Sequence, residues 1–193
     1  MRHDLTLGAH GVRLVPLEEA HAPALLALLD AELWAGMTSP VPTTVEAMRA
    51  QVSAVVGTPA WYAFAVLGPD GEVRGSTSFY DVNHAQQRCE IGWTFYGRRW
   101  WGGDTNPACK LAMFTQAVEV WGMHRVALRA DARNARSVAA IRRLGALPEG
   151  VLRAHRVAAD GSRGDTAYFS ILAPEWPQVR AGLLARLAPG ARA

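Results

Sequence analysis

The sequence predicts a mixed α/β sandwich: one central, mostly antiparallel sheet flanked by helices. Three observations carry this. Runs alternating with a period of two interleave along the chain with runs whose apolar residues recur every three or four positions. Three of the strand-like runs follow one another with only short turns between them, which makes an antiparallel meander. Half of the 193 residues are hydrophobic and 19% are charged, enough for one core without metal or disulfide staples; this excludes a disordered chain, a collagen-like repeat and a small disulfide scaffold.

In chain order, Val12-Arg13-Leu14-Val15 alternates as a strand and 18–30 has helical spacing. A second helix starts near Thr43 or Thr44, where Thr43 and Glu46 stand in capping-box register. Strand-like runs follow at 61–67, 73–82 and 88–96, the first two joined by Gly68-Pro69-Asp70-Gly71, whose residue types favour a tight turn. Leu111, Phe114, Val118 and Trp121 then recur as one buried face of a helix ended by Gly122. After it come a strand over 124–130, a helix over 134–144 stopped by Gly145, strands at 151–157 and 166–172, and a last helix over 175–187. No repeat or linker interrupts this order, so 1–193 reads as a single domain with a flexible tail after about residue 187.

The longest apolar stretches, Ala24-Leu25-Leu26-Ala27-Leu28-Leu29 and Phe64-Ala65-Val66-Leu67, are too short to cross a bilayer, and no apolar segment follows Arg2 as a secretory signal requires. A cytoplasmic setting with no membrane partner is expected, in which Cys89 and Cys109 are free thiols. No Cys or His pair has zinc-ligand spacing, so no metal is expected. The formal charge is +3, with Lys110 the sole lysine. Eight arginines (Arg125, Arg129, Arg133, Arg136, Arg142, Arg143, Arg153, Arg156) stand against Asp131 and Glu149 alone, so this third of the chain either attracts an anion or is a solvated face. Nucleic acid is an anion to weigh, but no aromatic interleaving or recognition-helix pattern accompanies the charge.

Two stretches carry the candidate chemistry. Tyr96-Gly97-Arg98-Arg99-Trp100-Trp101-Gly102-Gly103-Asp104-Thr105-Asn106-Pro107 is a glycine-containing turn between a strand and a helix, suited either to a tight connection or to holding phosphate on unpaired helix N–H groups. It has neither a Walker lysine nor a G-x-G-x-x-G pattern. In the second stretch, Asn134 suits a helix N-cap and Ser137 lies one turn on, on nearly the same face, so one ligand can meet both side chains.

Taken together, the order of elements, the turn at 101–107 and Asn134-x-x-Ser137 ending in Leu144-Gly145 resemble the GCN5-related N-acetyltransferases, specifically the RimJ/RimL-like ribosomal-protein acetyltransferase branch. Gly11-Val12-Arg13-Leu14-Val15-Pro16-Leu17 is similar to the branch's opening strand and Glu90-Ile91-Gly92-Trp93 to its fourth. Glu149-Gly150-Val151-Leu152-Arg153, Asp160-Gly161, Asp165-Thr166, Tyr168-Phe169-Ser170-Ile171-Leu172 and Glu175-Trp176 resemble its C-terminal pattern.

The resemblance implies transfer of an acetyl group from acetyl-CoA to a primary amine, either a protein N-terminus or a small molecule. It implies a slot where the fourth strand splays from the fifth. There Thr94, Phe95 and Tyr96 would offer backbone to the pantetheine arm. Trp101, Gly102, Gly103, Asp104, Thr105 and Asn106 would form the pyrophosphate turn, Asn134 would hold the arm and Ser137 would lie near the sulfur. The arginines after Arg129 would meet the nucleotide phosphates. Asp104 and Asn106 stand where the family turn has small residues: Asp104 adds a like charge, and a side chain ahead of Pro107 can cap the amides phosphate would use. Where many relatives have a tyrosine after the motif asparagine, this chain has Ile141.

Alternation puts Glu90, Gly92, Thr94 and Tyr96 on one strand face, which makes Glu90 the candidate base, acting through water, with His84 and Asp81 in reserve; a charge on a wet strand face is the plainer reading. Ser137 is the candidate donor to the leaving thiolate, and Cys89 lies on the opposite face with no neighbouring histidine. Trp34 and Trp93 are either core or walls of an acceptor cleft. A homodimer stays open, as do two other classes: a non-catalytic acyl-CoA-binding scaffold of this fold, and a basic nucleic-acid-binding protein.

Overall fold

In the computed structural model, which describes residues 2–34, 36–158 and 161–190, eight strands form one sheet in the order β1-β2-β3-β4-β5-β6-β8-β7. The strands are β1 (Leu7–Ala9), β2 (Val12–Pro16), β3 (Tyr62–Leu67), β4 (Val73–Asn83), β5 (Arg88–Tyr96), β6 (Arg125–Asp131), β7 (Leu147–Val157) and β8 (Arg163–Leu172). Every neighbouring pair is antiparallel except β5 and β6.

The expected meander is β3-β4-β5, and Gly71 closes the β3–β4 turn by donating to the Gly68 carbonyl at 3.1 Å. The helices are α1 (Ala22–Leu26), α2 (Ala31–Trp34), α3 (Val45–Gly57), α4 (Thr105–Phe114), α5 (Ala135–Arg142) and α6 (Trp176–Leu187). One face of the sheet buries Phe64, Phe79, Ile91, Val126, Leu128 and Phe169 against Cys109, Met113 and Phe114 of α4, Ile141 of α5 and Leu183 of α6. The other face packs Ala63, Ala65 and Phe95 against Leu25, Leu33, Met48 and Val52 of α1, α2 and α3.

Several expectations need correction. Strand β1 is an addition to the expected order; His10 and Gly11, both at positive φ, make the two-residue turn that pairs it with β2. The single helix over 18–30 is three pieces: a 3-10 turn at Glu19–His21, then α1, then α2, which restarts where the Asp30 carboxylate accepts from the Leu33 N–H at 2.8 Å. The cap of α3 is Thr44, whose hydroxyl accepts from Ala47 N–H, rather than the Thr43–Glu46 box.

The helix carrying Leu111 and Trp121 leaves α geometry after Phe114 and runs through a π-helical stretch, Thr115–Val120, before Gly122 at φ +67° ends it. Strand β7 starts at Leu147 rather than 151, because on a sheet edge Pro148 need not donate and Gly150 absorbs a bulge. Of the quoted C-terminal pattern, Asp160 lies outside the described residues; so do residues 191–193 of the expected tail.

Candidate functional site

Strands β5 and β6 pair at only three positions, Arg88 with Arg125, Cys89 with Val126 and Glu90 with Ala127. Beyond Glu90 they diverge, although each remains paired to its other neighbour as far as Tyr96 and Asp131. The wedge opens into a cavity of about 550 Å³ whose walls include Gly92 to Tyr96 of β5, Leu128 to Asp131 of β6 and the first turns of α4 and α5.

Most of the anticipated binding residues come together here. Thr94, Phe95, Tyr96, Trp101, Gly102, Gly103, Asn106, Asn134 and Ser137 all line this space, whereas Asp104 and Thr105 stand outside the lining. Trp101 fixes the turn, donating its indole N–H to the Tyr96 carbonyl at 2.7 Å, with the Arg136 guanidinium 3.5 Å from its ring centroid.

Helix α4 begins at Thr105, so Pro107 is its third residue rather than its first. The Asp104 side chain makes no cap bond onto the first turn, so helix geometry leaves the amides of Thr105 and Asn106 without intrahelical partners. Asp104 has φ −79°, an ordinary value for any residue, so replacing a glycine here costs no backbone strain. Gly102 is the residue of this turn at positive φ. The Thr105 hydroxyl, buried, accepts from Arg74 at 3.3 Å.

Asn134 is the N-cap of α5: its Oδ1 accepts the Ser137 N–H at 3.0 Å, which turns the amide nitrogen toward Gly36. A Cβ at Gly36 would lie 2.6 Å from that nitrogen, so a side chain there would push the Asn134 amide aside. Arg156 ties the same loop down by donating to the Gly36 carbonyl at 2.7 Å.

The expected alternation along β5 fails at one place. Trp93, at φ +49°, sits in a β-bulge where β5 carries one residue more than β4. Cys89 and Ile91 face α4 before the bulge; after it Thr94 and Tyr96 do, while Phe95 joins the opposite core. Glu90 and Gly92 therefore lie on the other face from Thr94 and Tyr96.

Glu90 is 9% exposed and is not among the lining residues. Its Oε2 is 3.3 Å from Arg129 Nε, and Tyr80 is its pairing partner on β4. Arg129 donates to the hydroxyls of Tyr80 at 3.2 Å and Tyr168 at 2.6 Å. Burial first, and the Glu90 charge second, push the Tyr80 phenol far above its ordinary range, so it stays protonated.

Tyr80, Arg129 and His155 line the cavity, and none of them is a site residue by sequence reasoning. The strand alternation that places Tyr80 opposite Glu90 is the signal that could have found it. Trp93 also lines the space, edge-on to Trp61, whereas Trp34 is core, donating to the Ser39 carbonyl at 2.8 Å and packed on Phe95. His84 stacks edge-on against Trp121 and Asp81 pairs with Arg88, both away from the wedge. Burial pushes the Cys89 thiol up to about 12.

The arginine-rich third is largely occupied by internal partners. Arg125 pairs with Glu149, Arg133 and Arg156 with Asp131, and Arg129 with Glu90. Arg136, Arg143 and Arg156 line the cavity together with Arg186 of α6. Among the described residues, no cluster of three or more His, Cys, Asp or Glu is placed to hold a metal ion, and no helix is long and apolar enough to cross a membrane.

Comparison with known proteins fits this geometry. Residues 12–147 match the acetyltransferase (GNAT) domain family. The "putative ribosomal N-acetyltransferase YdaF" of Bacillus subtilis (strain 168) is 31% identical over 107 residues, 55% of this chain; the match spans little more than half of that protein's length, 57%. A solved structure described as a "putative acetyltransferase" from T. thermophilus is 36% identical with a TM-score of 0.90, covering 97% of this chain and 100% of that one. The fold is shared by Mycobacterium smegmatis RimJ, solved in complex with CoA-disulfide, at 23% identity and TM-score 0.77 over 94% of this chain and 92% of that one.

Proposed function

The chain belongs to the GNAT acetyltransferase family, and on that footing we propose that it moves an acetyl group from acetyl-CoA to a primary amine, a protein N-terminus or a small molecule, by direct attack. The observation that carries this reading is the wedge: the parallel pair β5–β6 separates after three residue pairs and leaves the facing edges of the two strands along a cavity of about 550 Å³. A strand edge pairs with amide groups of an extended arm, and the uncapped first turn of α4 suits a diphosphate. The residues present therefore fit such a thioester donor. Asp104, the expected obstacle, is outside the lining. The likeness to the "putative ribosomal N-acetyltransferase" of B. subtilis supports a protein acceptor and the RimJ/RimL-like branch.

When bound, the donor supplies an acetyl group activated as a thioester. The chain's own residues do the rest. Thr94 and Phe95 present backbone to the arm; Gly102, Gly103, Thr105 and Asn106 present the turn, with Trp101 bracing it. Asp104 closes the turn as the residue ahead of α4. The Asn134 amide nitrogen, held by its own cap bond, is oriented rather than free to swing.

The acceptor amine must lose a proton to attack; an α-amino group with pKa about 8 does so more readily than a lysine at about 10.4. Glu90 takes that proton through a water, its carboxylate held by Arg129 at the narrow end of the wedge. The Tyr80 phenol, kept protonated, donates toward the same place. Ser137 lines the cavity and donates a hydrogen bond at the thiolate end.

Acetyl-CoA turnover measured against N-terminal peptides, polyamines and aminoglycosides, with Glu90→Gln and Ser137→Ala beside the wild type, tests this. Turnover falls by about 100-fold or more for the first and by about tenfold for the second. Equal rates in all three proteins remove both role assignments, and absence of turnover with every acceptor removes the reaction.

A further inference from the structure

Lys110, the sole lysine, is used by neither the proposed turn nor the proposed proton path. It is 4% exposed, and it lines the cavity from the same stripe of α4 as Asn106 and Pro107, one turn behind them. Helical side chains lean toward their own N-terminus, so the ammonium reaches back toward that first turn.

Among the described residues its one hydrogen bond goes to the Thr94 hydroxyl at 3.3 Å, which leaves two ammonium protons without a partner there. Among the described residues no carboxylate lies within 4.0 Å of it. The groups facing it are neutral. On α4 the Cys109 thiol is pushed up to about 11 by burial. On β5 the fully buried Tyr96 phenol is held well above its ordinary range. On β4 stands Thr77, bonded to the same Thr94 hydroxyl. The carboxylate on the cavity wall, Asp131, is already paired with Arg133 and Arg156. A buried cation without a counter-ion is costly to fold around.

We infer that Lys110 is a binding residue for the thioester donor, whose anionic group supplies the missing counter-charge. This rests on the acetyl-CoA reading above. Burial holds the Lys110 pKa down to about 8 in the free protein. Arrival of an anion raises it again, so binding near pH 9 takes up a proton that binding near pH 6.5 does not.

Calorimetric titration with CoA in two buffers of different ionisation heat reads affinity and proton uptake together. The wild type takes up about one proton at pH 9, Lys110→Met binds about tenfold or more weakly with no such uptake, and Lys110→Arg keeps the affinity without the uptake. Pantetheine, which lacks the diphosphate, and succinyl-CoA beside acetyl-CoA locate the anion. A Lys110→Met defect that vanishes with pantetheine supports the diphosphate, and a larger defect with succinyl-CoA than with acetyl-CoA supports a carboxyacyl group. A folded Lys110→Met that binds every ligand within twofold of wild type, with the same proton uptake, overturns the inference. A wild type that binds none of them overturns the acetyl-CoA reading first, and this inference with it.

Discussion

Gly75→Ala is expected to cost the protein roughly 3–5 kcal/mol, and the figure can be worked from the structure. Gly75 has φ +157°, and a Cβ built there would lie 2.0 Å from the Phe95 carbonyl oxygen and 2.9 Å from both the Phe95 carbonyl carbon and the Tyr96 Cα. All three are backbone atoms of β5, so no rotamer change relieves the contact. Bringing 2.0 Å back to the 3.0 Å that real Cβ atoms respect requires the strands to part by about 1 Å at a ladder spacing of about 4.8 Å. That strains or breaks about two ladder hydrogen bonds, each worth about 1 kcal/mol, and leaves alanine in a region costing about 1–3 kcal/mol. Because Phe95 and Tyr96 also line the cavity, donor affinity falls together with stability. Urea unfolding followed by circular dichroism measures the loss, with Gly182→Ala as the control: Gly182 sits in the exposed middle of α6 with nothing within 4 Å of an added Cβ, so this change stabilises by about 0.5–1 kcal/mol. A Gly75→Ala protein within about 1 kcal/mol of wild type would refute the steric reasoning.

Two further outcomes are expected. Because the folded chain holds the Lys110 proton less tightly than the unfolded chain, with pKa about 8 against 10.5, the unfolded state carries more protons between those pH values and stability rises with pH across that window. The penalty is present in full below pH 8. Lys110→Met removes it, so the variant's advantage, roughly 3 kcal/mol below pH 8, shrinks toward zero near pH 10.5 in denaturation series run on both proteins; a constant difference would contradict this. Asp104→Asn changes CoA affinity by less than about threefold, since Asp104 stands outside the lining; a gain near 1,000-fold would mean that the full like-charge repulsion, about 4 kcal/mol at 4 Å, operates after all.

The parts legible in the sequence are those whose signal is local. The β3-β4-β5 meander shows in alternation and in the turn residues of 68–71, and α5 in its Asn134 cap and the Gly145 stop. The elements missed depend on distant partners. Strand β1, three residues long, has too few positions for a period, and β7 hides behind Pro148 and Gly150, which are tolerable on an edge that composition does not reveal. The break between α1 and α2 is made by one carboxylate, Asp30, acting as a cap inside an otherwise helical pattern.

At the site, the placement of the turn and of the Asn134–Ser137 pair on the cavity wall is readable because both stand at helix starts that residue type and spacing mark. Lys110 is not: nothing local distinguishes a buried lysine from a solvated one, and its isolation emerges only when β4 and β5 close over it.

The surplus residue at Trp93 has a consequence for division of labour along one strand. Before it, β5 turns its acid toward the Arg129 side of the sheet; after it, the same strand turns Thr94 toward α4 and Lys110. Regular pleating through Trp93 would put Thr94 and Tyr96 on the Glu90 side, so one irregularity keeps the proposed base and the proposed donor-holding residues on opposite faces only a few residues apart.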